Sequence, residues 1–234
     1  MNVNTSTTAA SRTRPRRVLV TGGGRGIGAG IVRALAADGW AVLAPPRSDL
    51  DLASPGSIAG YLDALTEPVD GLVLNAGINA PAPLGELTMA QWQEIQGVNL
   101  SSAFALVSAL APGMAARGFG RIVGISSAYA TRAREGRGAY AASKAGLEAL
   151  VRTVAVEFAS AGVLANCVAP GFVDTELTRR NNPPEAIAQL LERVPVGRLA
   201  TVDEIGRAVA FLVSPSNTYV TGQTLVVDGG FACT

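Results

Sequence analysis

The chain has 234 residues, 48% of them hydrophobic and 5% aromatic, with 27 glycines and a net charge of +1. That length suits one large α/β domain with a substantial core and hardly two, and the balanced charge gives no general pull toward nucleic acid or membrane. There is no histidine, which excludes Ser-His-Asp and Cys-His machinery and histidine metal ligands and leaves acid–base work to Tyr, Lys, Asp or Glu.

Met1 to Arg16 is rich in Ser, Thr and Arg and has no acids. Its apolar positions do not gather on one helical face, so a disordered tail over 1–16 is expected in place of an organelle-targeting helix. Arg17 to Thr21 is apolar enough for a buried strand and runs straight into Gly22-Gly-Gly-Arg25-Gly26-Ile27-Gly28, after which Ile31, Val32, Leu35 and Ala36 repeat with helical spacing. A glycine-rich turn between strand and helix lets the backbone approach a pyrophosphate at the helix N-terminus, so these glycines, with Arg25 and Ile27 between them, are read as a dinucleotide loop. Trp40 to Ala44 is the second strand. Its tip lacks the acid that would bind a ribose hydroxyl and instead reads Pro45-Pro46-Arg47; Arg47 and Arg25 favour a 2′-phosphate, hence NADP(H), with NAD(H) the alternative.

About six residues separate this strand from Asp51-Leu52, and a helical crossover between parallel strands needs about 10–12. The helix there is expected to be missing and the next strand cut to a stub. Pro55 to Leu65 reads as a short helix capped by Ser54. Gly71 to Leu74 is a central strand ending in Asn75-Ala76-Gly77. Thr88 to Arg117 is helical but interrupted near Gly97 and Asn99, since an Asn inside a helix is costly unless its side chain is used. Gly120 to Ile125 is a buried strand that delivers Ser126 and Ser127. Gly138 to Ala161 forms a helix with an apolar stripe at Leu147, Leu150, Val151, Val154 and Phe158, while Ala141, Ala145 and Ala149 keep another face smooth. Leu164 to Ala169 is the next strand, followed by Pro170-Gly171-Phe172-Val173-Asp174-Thr175. Residues 174–195 read as a mobile lid. Thr201 caps a further helix, and Thr224 to Val227 is the last strand. No apolar run is expected to reach membrane-spanning length. Cys167 and Cys233 lack metal-type spacing and read as thiols of a reducing, cytoplasmic compartment.

Lys144 is the only lysine, and it stands four residues after Tyr140. On a helix that spacing makes them neighbours, so the ammonium is expected to favour ionisation of the phenol and fit it for proton transfer. Ser127, thirteen residues earlier, completes a Ser-Tyr-Lys set. This set, the TGxxxGxG spacing from Thr21 to Gly28, Asn75-Ala76-Gly77 and Pro170-Gly171 together resemble the short-chain dehydrogenase/reductase family, in the branch of the 3-oxoacyl-carrier-protein reductases and of sugar or polyol dehydrogenases. The resemblance runs from about Arg17 to Gly230. It implies a single-domain doubly wound parallel sheet of Rossmann type over 17–234. It also implies Ser127 as the hydroxyl that polarises the substrate, Tyr140 as proton donor, Lys144 as ribose holder, and Asn99 as the residue that opens its helix for a proton-relaying water. Asp51 and Leu52 match the adenine-contacting pair, Asn75, Ala76 and Gly77 the sheet buttress and cofactor floor, and Pro170, Gly171, Val173 and Thr175 the contacts to the nicotinamide amide. A homodimer or homotetramer is implied, as is a small-molecule or acyl-thioester substrate, free or carrier-protein-bound. Arg132, Arg134 and Arg137, with Arg179 and Arg180 in the lid, lean toward an anionic partner. A non-catalytic nucleotide sensor, and an epimerase or dehydratase, are the rival classes.

Overall fold

The structure, a computed structural model, describes residues 14–234. The expected tail thus lies outside the described residues as far as residue 13. Its last three members are not loose: Arg14 forks onto Asp70 at 2.8 and 2.9 Å, and the Arg16 carbonyl accepts from Ala41 N at 2.9 Å. A carboxylate at the start of a central strand has captured an arginine that composition alone assigned to the tail.

Six strands, β1 (Arg17–Val20), β2 (Ala41–Leu43), β3 (Gly71–Leu74), β4 (Gly120–Ile125), β5 (Val163–Pro170) and β6 (Thr224–Val227), form one all-parallel sheet in the order β2-β1-β3-β4-β5-β6. Parallel sheets are covered on both faces, and the strands read accordingly: every residue of β3, β4 and β5 is buried. Val18, Val20, Val73, Val123 and Val168 point to one side, against Ile31 and Leu35 of α1 (Gly26–Ala37) and Ile205 and Val209 of α8 (Val202–Val213). Leu19, Leu72, Leu74 and Ile122 point to the other. There they meet Ile58 of α2 (Pro55–Asp63), Leu106 and Met114 of α4 (Ser102–Ala116), and Leu147 and Val151 of α5 (Gly138–Phe158).

Between β2 and α2 no helix forms, as the spacing requires, and no strand forms either among the described residues. The expected stub is a turn and coil, so three-residue β2 is the sheet's edge. A second difference concerns Met89–Ala116, a 28-residue helical stretch that by length and composition could cross a membrane. Gln96, Asn99, Ser101 and Ser102 interrupt its apolar run. Leu106, Val107, Ala111 and Met114 of that stretch lie in the domain core.

Candidate active site

In a doubly wound sheet the chain leaves in opposite directions from two adjacent strands, and the crevice past their C-terminal ends is where ligands sit. Here those strands are β1 and β3, and the glycine loop and Asn75-Ala76-Gly77 follow them directly. Thr21 ties the two loops together: its buried hydroxyl accepts from Asn75 N at 3.0 Å and Ala76 N at 3.1 Å, and Asn75 Nδ2 donates back to the Thr21 and Gly22 carbonyls at 2.9 and 3.1 Å. Gly22 and Gly26 adopt φ of 65° and 54°, the left-handed region that other residues resist. A side chain at Gly28 would place its Cβ 2.1 Å from the Gly22 carbonyl oxygen, so only glycine permits the turn. The N-terminus of α1 starts at Arg25 without any side-chain cap, leaving backbone donors for a phosphate. Thr175 methyl carbon approaches within 3.6 Å of where a Gly26 Cβ would stand, which brings the Pro170–Thr175 loop onto the same crevice. These groups fit a nicotinamide dinucleotide, which would lie along Gly22–Gly28 with its nicotinamide end toward Gly171 and Thr175.

Asp51 and Leu52 stand where the adenine end is expected, though Leu52 packs partly against the core. Asp51 accepts from Ala53 N at 3.0 Å, which holds its carboxyl below the usual range, and Arg47 at 3.3 Å adds to the effect. Thr175 also has a structural task, capping α6 (Glu176–Asn181) by accepting from Thr178 N at 3.1 Å.

The reacting groups gather past β4. Ser127 is buried, and its Oγ accepts from Tyr129 N at 3.2 Å. Lys144 is buried, donates to the Ile125 carbonyl at 2.8 Å, and sits 5.7 Å from the Tyr140 ring centroid. Asn99 lies in a π-helical turn, Gly97–Ser101. Its side chain bonds Ile78 in both directions, at 2.8 and 2.9 Å, and donates to Ser143 Oγ at 2.9 Å; this use of the amide offsets the cost of an Asn inside a helix. A Cβ on Gly77 would meet Asn99 Oδ1 and Lys144 Nζ at 3.2 Å each, so the cofactor floor, the amide and the ammonium share one corner.

The electrostatics differ from the sequence-based expectation. Burial raises the Tyr140 phenol above its ordinary value, opposed first by the Ser127 hydroxyl and then by Arg137. Burial in turn drops Lys144 to about 8. Cys167 is buried and pushed up to about 12, first by burial and then by Glu148, so it is an inert thiol. Cys233 is exposed.

Sequence reasoning missed Thr21, Ser143 and Glu148. Glu148 is buried on α5 one turn past Lys144 and accepts from Ser126 Oγ at 2.6 Å, pinning the Tyr-Lys helix to the strand end that carries Ser127. Its place in the series 140, 144, 148 was the available signal. Of the lid arginines, Arg179 is taken by Asp174 through a fork of 2.7 and 2.8 Å, which removes it from the set free to meet an anion.

Dinucleotide loop, NAG turn and a Ser-Tyr-Lys cluster on one parallel sheet define an NAD(P)-dependent oxidoreductase. The family model described as enoyl-(acyl carrier protein) reductase matches residues 44–232. The 3-oxoacyl-[acyl-carrier-protein] reductase of Vibrio cholerae is 39% identical, over 91% of this chain and 95% of that protein. The acetoacetyl-CoA reductase of Rhizobium meliloti is 36% identical, over 92% and 98%. Among solved structures, a gluconate 5-dehydrogenase from Burkholderia cenocepacia in complex with NADP and tartrate superposes with a TM-score of 0.89 at 34% identity, covering 94% of this chain and 96% of that one. The chain belongs to the short-chain dehydrogenase/reductase family.

Proposed function

We propose that the protein catalyses the NADPH-dependent reduction of a ketone to a secondary alcohol, a 3-oxoacyl thioester being the leading substrate. The observation that carries this reading is the convergence of Ser127, Tyr140, Lys144 and Asn99 at the end of β4, beside the glycine loop. Bound NADPH supplies the hydride. Ser127 donates to the carbonyl oxygen, and Tyr140 gives its proton to that oxygen as negative charge builds, each donor worth about 3 kcal/mol in a site arranged beforehand. A reduction starts from the protonated tyrosine, the form that burial favours. Lys144 holds the ribose hydroxyls, and Asn99 keeps its corner open to the water that returns the proton.

The two reductases at 39% and 36% identity support the thioester substrate. The gluconate dehydrogenase, with its bound tartrate, supports a second reading, an acidic sugar or related keto acid. Arg47 and the NADP of that same neighbour support NADP(H) over NAD(H). Exposed apolar side chains on α4 and α5, Phe104 and Val156 among them, support a homodimer or homotetramer. The family setting supports a cytoplasmic enzyme with residues 174–195 as its lid.

The test follows NADPH absorbance with acetoacetyl thioesters in wild type and Tyr140→Phe. The variant is expected to bind NADPH normally by fluorescence and to lose turnover about a thousandfold. Near-normal turnover by that variant overturns the mechanism.

A further inference from the structure

A cleft of about 620 Å³ is lined among others by Tyr129, Thr131, Arg132, Arg134, Gln189 and Arg193. Its walls are the loop after β4 and the end of α7 (Pro184–Leu191). Three aromatic rings run through it: Tyr129 meets Phe172 at 6.3 Å between centroids, and Phe172 meets Phe231 at 4.9 Å. Guanidiniums sit on both ends of this ladder. Arg134 and Arg137 lie 5.7 and 6.0 Å from the Tyr129 centroid, and Arg132 and Arg193 lie 4.8 and 5.4 Å from that of Phe231. Stacking on a ring fixes a guanidinium's plane while leaving its N–H edge available.

Six arginines elsewhere, Arg14, Arg17, Arg33, Arg47, Arg179 and Arg198, each reach a carboxylate within 3.3 Å. Neither Arg134 nor Arg193 of the cleft, nor Arg137 near it, forms an ion pair among the described residues. Glu135 and Glu192, their neighbours in sequence, pair with none of them either. Arg132 spends its donors on the Phe231 and Thr234 carbonyls. Arg134 makes one bond, to the Tyr129 hydroxyl at 2.5 Å, and Arg137 is partly buried. Arg134 and Arg193 in the cleft, with Arg137 near Tyr129, create a field that favours a ligand anion over a neutral one. Tyr129, which lines the cleft, also donates its N–H to Ser127 Oγ.

We propose that this cleft recognises an anionic group on the substrate, a carboxylate or a phosphate, with Arg134 and Arg193 on its opposite walls as ligands and Arg137 adding to the field. The enzyme therefore prefers ketones that carry such a group. This rests on the ketone-reductase reading and names the substrate class for it. The anion has two chemical sources, the carboxylate of a small keto acid or the phosphates of a pantetheine thioester.

The experiment measures kcat/KM with NADPH for two matched pairs that differ only in charge: a keto acid against its methyl ester, and acetoacetyl-CoA against the neutral acetoacetyl-N-acetylcysteamine. At least one charged member is expected to be preferred by about tenfold or more, and which pair responds identifies the source. Arg134→Gln and Arg193→Gln are each expected to cut that preference about tenfold, Arg193→Lys to restore part of it, and the remote Arg207→Gln to leave the ratio unchanged. Rising salt is expected to erode the wild-type preference, a measurement that needs no variant to fold. Equal kcat/KM within both pairs, with NADPH consumed, overturns the anion site and leaves the reductase reading intact. No NADPH consumption with any of the four substrates overturns that reading and the anion site with it.

Discussion

One ammonium sets the pH behaviour of the site. Lys144 loses its charge as pH rises through about 8, because burial disfavours the ion. Tyr140 is shifted the other way and stays protonated over the same range. kcat/KM for reduction is therefore expected to be flat below this value and to fall above it, the falling limb reporting Lys144. A profile level to about pH 10, the ordinary lysine range, contradicts the assignment. Ser127, Tyr140, Lys144 and Asn99 were legible in the sequence because motif spacing encodes which side chains meet at a strand end. The direction of the Tyr140 shift was not legible. It depends on how much protein covers the phenol, which is a tertiary fact. Glu148 was hidden for a similar reason, since a carboxylate among helix residues reads as solvated until Ser126 is seen against it.

At the level of elements, α1 and α8 pack through glycines. A Cβ on Gly206 of α8 would stand 2.6 Å from the Gly30 carbonyl of α1, and one on Gly30 would stand 2.5 Å from the Val202 carbonyl. The two helices thus touch backbone to backbone, and α1 is the helix whose N-terminus faces the dinucleotide loop. Gly206→Ala is expected to push them apart, destabilising the fold by about 1–3 kcal/mol and lowering both the melting temperature and NADPH affinity; an unchanged melting curve refutes this contact. Helices and strands themselves were readable from periodicity, and the missing crossover helix from chain length alone. The glycine contacts were not, because Gly30 and Gly206 carry no signal until two helices are brought together. Arg121 is another case: it sits inside buried β4 and is satisfied by the carbonyl of its neighbour Gly120 and by those of Gly162 and Asn217, the last two supplied by distant loops.

Over the whole molecule, the sheet order sets the crevice that a dinucleotide would enter, and three-residue β2 forms the edge of the sheet on that side. With neither helix nor strand after β2, the wall on that side is reduced to the 45–54 turn, where Arg47 and Asp51 pair at 3.3 Å. A 2′-phosphate must draw Arg47 from that carboxylate. Arg47→Ala is expected to lower the NADPH-to-NADH ratio of kcat/KM about tenfold or more, and an unmoved ratio would assign the preference elsewhere. The Met89–Ala116 rod joins this scale to the chemistry. Its 28 residues extend about 42 Å at 1.5 Å per residue, most of the way through the domain. Inward positions Ile95, Asn99, Ala103, Val107 and Ala111 recur every four residues, a step that overshoots a regular turn by about 40°. The wide turn at Gly97–Ser101 absorbs part of that drift. It is what allows a polar amide to share one line with greasy neighbours, so a single girder both seals the interior and carries a tool at its working end.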